Sequence, residues 1–349
     1  MRAAWYEAQG AAADVLQVGT LPDPAPGAGE VRVRVSVSGV NPVDVKRRQG
    51  GRGAMGSARV IPHFDGAGVI DQVGSGVDAS RIGQRVWLYE AQWQRDFGTA
   101  AQWVVVPERL AVPLPPSPPG AVAGASDGLR AGATSAVDVD DQLLGAACLG
   151  IPALTAYQCV FGDGPITGQL VLVTGGAGGV GHYAVQFARL GGADVIATVS
   201  NDEKAERAAT AGANHVLNYR EQDVAAQIDS LCAGAGVDRV VDVAFAANLE
   251  TTLQVLKPGG TISTYACDVC PEPVLPFYRL MYLAARLHFE LVFAMPEHVQ
   301  RQALTDITGW LADGRLQHQP GPVFPLSAIV EAHEAVEAGS DGRVLVVPD

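Results

Sequence analysis

Basic charge is scarce in this sequence: 24 Lys and Arg stand against 37 Asp and Glu, a formal net charge of −13 at pH 7. Recognition of a nucleic-acid backbone needs clustered cations, so no nucleic-acid partner is expected. A local patch would still suffice for the phosphates of one nucleotide. Long apolar runs are also missing. No uninterrupted stretch reaches the roughly 18 residues of a membrane span, and Met1-Arg2-Ala3-Ala4-Trp5-Tyr6-Glu7 lacks the apolar core of a secretory signal. Cysteine is sparse and scattered, at Cys148, Cys159, Cys232, Cys267 and Cys270. The single C-x-x-C at Cys267 and Cys270 has no second pair to complete a structural zinc site, and an odd count does not make a disulfide framework. The expectation is a cytoplasmic protein with reduced thiols, acting on small molecules and not on membranes.

What the sequence has in quantity is apolar surface. Hydrophobic residues make up 48% of the 349 positions and charged residues 17%, enough for substantial cores and too apolar for general disorder. The length predicts two domains. In the first hundred residues Val31, Val33, Val35 and Val37 alternate with Arg32, Arg34, Ser36 and Ser38, the period of a half-buried strand. Short apolar runs around Val69-Ile70, Val86-Trp87-Leu88 and Val104-Val105-Val106, separated by Gly-rich turns, extend this into a β-rich unit. From Pro115 to Asp141 the chain turns Pro-rich and then Ala/Gly/Ser-rich without a period, as a flexible insertion would.

From Ile151 onward strand and helix alternate. Strands are expected at 170–173, 195–199, 215–217, 239–243, 261–265 and 287–293, with a helix from Asn201 to just before Gly212. Six strands with intervening helices predict a doubly wound parallel sheet. The chain from 294 then returns to the first domain through a helix near 329–338 and a last strand at 343–347. The expected division is therefore 1–151 with 294–349 as the β-rich substrate domain, and 152–293 as the dinucleotide-binding domain.

The strongest chemical signal is Val173-Thr174-Gly175-Gly176-Ala177-Gly178-Gly179-Val180-Gly181. Its G-x-G-x-x-G (Gly176, Gly178, Gly181) would be weak in a chain with 41 glycines, but here it follows a strand and opens an amphipathic helix. Glycines permit the turn and the close approach of backbone to a pyrophosphate, and the helix N-terminus presents unpaired N–H groups. The end of the next strand, Thr198-Val199-Ser200-Asn201, lacks the carboxylate that would bind the ribose 2′-hydroxyl of NAD. Ser200, Lys204 and Tyr219, with Arg220 beside it, instead suit a 2′-phosphate, and NADPH is the expected cofactor.

Together with Gly39-Val40-Asn41-Pro42-Val43-Asp44, Asp65-Gly66-Ala67-Gly68-Val69-Ile70, Leu149-Gly150-Ile151-Pro152, Lys257-Pro258-Gly259-Gly260 and Glu331-Ala332-His333-Glu334, these residues carry a resemblance over nearly the whole chain. The sequence resembles the medium-chain dehydrogenase/reductase superfamily, in particular its zinc-free quinone oxidoreductase branch that includes ζ-crystallin. The resemblance implies an α/β fold, with a Rossmann sheet and a GroES-like β-rich catalytic domain. Zinc-dependent relatives place Cys where Asn41 stands, Gly-His-Glu near His63-Phe64-Asp65, and a four-Cys lobe that is absent here. His63 alone cannot hold catalytic zinc, and no metal is expected. By the same resemblance, NADPH lies on Gly176, Gly178, Gly179 and Val180, its 2′-phosphate is held by Ser200, Lys204 and Tyr219, Asn41 lines the nicotinamide pocket, and Arg343 lies near the diphosphate. A homodimer joined along the strand at 287–293 is implied as well.

Two departures from the branch bear on chemistry. Lys46 stands where many quinone oxidoreductases have Tyr, and the 115–141 segment exceeds the usual link by about twenty residues. Since the nicotinamide carries the hydride, the protein has only to orient, desolvate and supply a proton. Electron-poor acceptors, quinones or α,β-unsaturated carbonyl compounds, fit such a site. Asn41, Lys46 and Tyr89 are the candidate catalytic residues, with Lys46, Tyr89 or water as proton source. The alternatives are an enoyl reductase for a specialised biosynthetic substrate and a non-enzymatic NADPH-binding protein.

Overall fold

A computed structural model describes residues 1–116 and 140–348; most of the 115–141 segment lies outside the described residues. The chain forms two compact units, Met1–Ile151 with Leu304–Asp349, and Pro152–Ala303. The second crossing falls within the helix Glu297–Ala312. Among the described residues, no helix is long and apolar enough to cross a membrane.

The first unit is built on a mixed sheet. Its strands run, side by side, Pro320–Pro325, Arg343–Val347, Glu30–Gly39, Asp65–Val73, Arg85–Leu88 and Ala111–Pro113, and Trp103–Pro107 also pairs with Glu30–Gly39. Only the Pro320–Pro325/Arg343–Val347 pair is parallel. The alternation in the sequence is the alternation in space: Val31, Val33, Val35 and Val37 are buried, while Arg32, Arg34 and Ser36 are not. At the end of this strand the alternation stops, because Ser38 and Gly39 are covered on both faces. Polar Ser38 is then tolerated only because it is hydrogen-bonded. A separate two-stranded ribbon, Arg2–Trp5 with Gln17–Thr20, contributes Ala3 and Ala4 to an apolar cluster with Val40, Ile61, Leu326, Ile329 and Val346.

The second unit is a six-stranded, all-parallel sheet in the order His215–Asn218, Asp194–Val199, Leu170–Val173, Val237–Asp242, Leu256–Thr264 and Arg286–Phe289. The order reverses between Asp194–Val199 and Val237–Asp242, on either side of the central Leu170–Val173. Such a switch point leaves a crevice at the carboxyl ends of the strands. The central strands are buried on both faces, which is why they read as continuous apolar runs with no alternation. Every expected strand is present, Leu170–Val173 with the bounds expected and the others with shifted ends. The last is shorter than the 287–293 expected: it stops at Phe289, and the chain turns through a 3₁₀ segment at Val292–Ala294.

Candidate active site

In the second unit, the Gly-rich loop joins Leu170–Val173 to the helix Gly179–Leu190, with Gly178 in extended conformation at its N-cap. A side chain is excluded at Gly181, where a Cβ would lie 2.2 Å from the Gly175 carbonyl oxygen, and at Gly176, where it would lie 2.7 Å from the Ala197 Cβ. At Gly179 nothing stands within 4 Å of the Cβ direction. The loop is therefore closed inward and open outward over a helix N-terminus, whose first N–H groups have no intrahelical acceptor. That is the cradle a pyrophosphate requires, and the residues present fit a dinucleotide.

The base of the loop is pinned by Thr174 together with Asp242, which the sequence pattern did not single out. The Thr174 hydroxyl donates to the buried Asp242 carboxylate at 2.9 Å and accepts from the Val243 N–H at 3.0 Å. Asp242 also accepts from Asn248 Nδ2 (2.6 Å) and from the Thr264 hydroxyl (3.3 Å). An aspartate closing an apolar strand at the crevice end was the signal available for it.

At the far flank, the strands Asp194–Val199 and His215–Asn218 end level with each other, with Asn218 opposite Val199 and the Tyr219 N–H donating to the Val199 carbonyl at 3.0 Å. Ser200 and Tyr219 thus emerge side by side, the latter about half exposed. Asn201 caps the following helix, Asp202–Thr210, by accepting from the Lys204 N–H at 2.9 Å, which sets Lys204 in its first turn. Asp202 and Glu203 occupy the same turn, where acidic side chains complement the helix dipole.

In the first unit, Asn41 is the N-cap of the helix Pro42–Arg48, and its N–H donates to Asp44 at 2.6 Å. Its side chain is committed on both sides. Nδ2 donates to Asp65 Oδ2 at 2.8 Å, and Oδ1 accepts from Arg343 Nη1. Arg343 Nη2 donates to Asp65 at 2.6 Å, and the Ile151 N–H donates to both Asp65 oxygens at 3.0 and 3.1 Å. The Asn-Pro and Leu-Gly-Ile-Pro markers and the last strand therefore converge on one carboxylate. Two glycines make room for it: a Cβ on Gly150, which has φ +48°, would lie 2.2 Å from Asp65, and one on Gly39 would lie 2.9 Å from Arg343 Nη2. Burial raises the Asp65 pKa to about 6 against the opposing pull of Arg343, Asn41 and the Ile151 N–H. Burial raises the Asp44 pKa to about 7. Arg343 Nε is buried with no hydrogen-bond partner among the described residues.

His63 lies in a buried hydrogen-bonded chain that reaches the Asp65 carbonyl through Ser38 and Thr99. Its Nδ1 is 2.7 Å from the Ser38 hydroxyl and its Nε2 3.0 Å from His333 Nε2, with the rings stacked at 5.2 Å. Proton order follows from counting donors. Thr99 donates to the Asp65 carbonyl at 2.6 Å, so Ser38 donates to Thr99 at 2.7 Å and accepts from His63 Nδ1–H. His63 Nε2 then accepts from His333 Nε2–H, and His333 Nδ1, which has no partner among the described residues, bears no proton. Both rings are neutral. Burial lowers the pKa of His63 well below its ordinary value and that of His333 to about 3. Among the described residues, no three His, Cys, Asp or Glu side chains gather as a metal site would need.

Lys46 lies half-buried five residues after Asn41, within the helix Pro42–Arg48. Tyr89 is buried, and its hydroxyl donates to the Arg109 carbonyl at 3.2 Å; burial raises its pKa to about 12. Of its aromatic neighbours in sequence, Trp87 is buried at a ring distance of 5.7 Å, and Phe97 is exposed.

Two outcomes test this geometry. Arg343→Met leaves Asp65 buried without its cation and should lower unfolding free energy by about 3–5 kcal/mol at pH 7 in urea denaturation. Depressed histidine pKa values contribute stability that is present above about pH 6.5 and lost as pH falls. From pH 7 to pH 5 the wild type should therefore lose about 2 kcal/mol more than His333→Gln; parallel pH profiles would mean the pair is not held neutral.

Two family models match the chain: the alcohol dehydrogenase GroES-like domain at residues 27–116 and the zinc-binding dehydrogenase model at residues 179–305. An alcohol dehydrogenase of Geobacillus stearothermophilus is 32% identical over 341 residues, 96% of each chain. Quinone oxidoreductase of Rattus norvegicus is 27% identical over 93% of this chain and 91% of its own. A 2-haloacrylate reductase of Burkholderia is 32% identical over 69% of this chain and 66% of its own. Among solved structures, a mycobacterial protein complexed with NADPH superposes with a TM-score of 0.81 at 26% identity, covering both chains completely. With a Rossmann unit, a GroES-like unit and relatives of this kind, the chain belongs to the medium-chain dehydrogenase/reductase superfamily and is an NAD(P)H-dependent oxidoreductase of the quinone oxidoreductase and enone reductase type.

Proposed function

We propose that this protein uses NADPH to reduce quinones or α,β-unsaturated carbonyl compounds without the help of a metal. The observation that carries the reading is the closed network of Asn41, Asp65 and Arg343. The Asn41 amide donates to one partner and accepts from the other, so it is not free to polarise a substrate oxygen strongly. An acceptor reduced at such a site must already be electron-poor. The names of the rat and Burkholderia relatives, a quinone oxidoreductase and a 2-haloacrylate reductase, support that substrate class.

When bound, the reduced nicotinamide supplies the hydride. Gly176, Gly178, Gly179 and Val180 hold the pyrophosphate on the helix N-terminus. Ser200, Lys204 and Tyr219 hold the 2′-phosphate, since this strand end offers a hydroxyl, an ammonium and a phenol where a carboxylate would repel it. By the family resemblance, Asn41, fixed by its two hydrogen bonds, is assigned to the nicotinamide and Arg343 to the diphosphate. Lys46 and Tyr89 are the proton sources proposed for oxygen, with water as the third.

The proposed assembly is a homodimer joined along Arg286–Phe289. This strand is an edge of the six-stranded sheet, and Phe277, Tyr278, Tyr282 and Phe289 are exposed around it. An apolar edge of this kind is a template for pairing, and a second copy of the same strand satisfies it symmetrically.

Two measurements test these assignments. In fluorescence titrations NADPH should bind at least tenfold more tightly than NADH, with Lys204→Ala narrowing the gap, and turnover with a panel of quinones and conjugated enones should follow the same preference; equal use of NADH would remove the 2′-phosphate assignment. Light scattering at micromolar concentration should report a dimer that Phe289→Lys converts to monomer, whereas a monomeric wild type would remove the edge assignment.

A further inference from the structure

The sheet of the first unit brings one more acid to the end that carries Asn41 and Asp65. Gly39 pairs opposite Asp65, and Gly66 opposite Leu88. The chain therefore passes Asp65 on both flanks, once as Val40-Asn41 and once as Tyr89-Glu90. The Tyr89 hydroxyl donates to the Arg109 carbonyl at 3.2 Å, and beside it in the chain stands the carboxyl of Glu90.

Its backbone sits at φ +52°, a left-handed conformation that a residue with a long side chain rarely adopts. The conformation is enforced by its surroundings. Arg95 donates to the carbonyls of Glu90 and Ala91, both at 2.9 Å, the Trp93 N–H donates to Glu90 at 2.9 Å, and the Ala91 N–H donates to the Phe64 carbonyl at 2.8 Å. The residue is 6% exposed. Burial raises its pKa to about 7, Asp65 adds in the same direction, and Arg109 and Arg95 oppose it. A strained backbone under a buried carboxyl, beside residues already assigned to the site, is where function concentrates.

We propose that Glu90 is a catalytic general acid that protonates the α-carbon of an α,β-unsaturated carbonyl substrate held beside Asn41. The inference rests on the substrate class proposed above. Addition of hydride at the β-carbon forms one C–H bond and moves the π electrons onto the enolate. The enolate electron pair then takes the Glu90 proton, so that the carboxyl O–H breaks and the Cα–H bond forms, and the carboxylate regains a proton from water. One reduced cofactor and one proton are consumed per saturated carbonyl formed. A quinone needs no such acid, because its new protons end on oxygen, where water suffices.

This difference is the test. Glu90→Gln keeps size and burial but cannot give up a proton. With NADPH in D₂O, it should reduce conjugated enones about 10²-fold or more slowly than the wild type, and its enone-to-quinone turnover ratio should fall sharply. It should also scramble the face of α-deuteration that the wild type keeps single. The wild-type enone rate should fall as pH rises through about 7, and that step should be absent in the variant, while Glu90→Asp restores part of the rate. Independently of activity, ¹³C NMR of the unliganded protein should show Glu90 titrating near 7; titration near the ordinary 4.5 overturns the proposal even if Glu90→Gln folds poorly. A Glu90→Gln enzyme with the wild-type enone-to-quinone ratio and stereochemistry overturns it as well, and leaves the proposed function standing. A wild type inert toward both classes removes the proposed function and this inference with it.

Discussion

A carboxylate with no exposed surface must be neutralised by its neighbours, and Asp65 draws those neighbours from three distant parts of the chain. Asn41 reaches it from the cap of Pro42–Arg48, Ile151 from the start of a helix, and Arg343 from the last strand. Each of these groups is itself held: Asn41 by its own contact to Arg343 and by Asp44, Arg343 by the space that Gly39 leaves. Removing a buried charge's partner costs far more than an exposed pair contributes. The cluster therefore acts as a lock on the register of the first unit's sheet. The neutral His63–His333 pair extends the same logic through Ser38 and Thr99 to the Asp65 carbonyl. Its imidazoles are kept uncharged by burial, and so they do not compete with Arg343 for the carboxylate.

In the second unit the controlling constraint is steric. The Gly181 approach to the Gly175 carbonyl and the Gly176 approach to Ala197 force the loop to turn where the helix begins. The Thr174–Asp242 pair fixes the loop's base. What remains outward is a row of backbone donors with no side chain in front of them at Gly179. Anion binding there needs no catalytic residue, which accords with chemistry carried by a cofactor and directed by the protein.

Much of this was readable in the sequence because it is local. Val31 to Val37 alternate for the reason they are half-buried, the six strands of the second unit announce themselves as apolar runs, and the Gly-rich loop has its meaning from the strand before it and the helix after it. The resemblance to the superfamily pointed to Asn41 and Arg343, which the structure joins by a hydrogen bond. The contacts that complete the first unit's cluster join residues 24 to 302 positions apart, and no periodicity reports such pairs. His333 therefore looked like part of a helical marker, and His63 like an isolated ring. Glu90 left a fainter signal: a carboxyl closing the run Val86-Trp87-Leu88-Tyr89, where an apolar residue would continue the core. The end of the edge strand was misjudged because the apolar residues at 291–293 belong to a turn, where burial of Val292 and not pairing sets the pattern.

The dependence of the first unit on the Asp65 cluster is tested most directly by a double-mutant cycle of Asp65→Asn and Arg343→Met, read as unfolding free energy in urea at pH 7. A coupling free energy of about 2 kcal/mol or more, with the double variant more stable than the sum of the singles implies, is the expected result. Single effects that add to within about 0.5 kcal/mol would contradict it, and would show that Asp65 and Arg343 stabilise the fold independently.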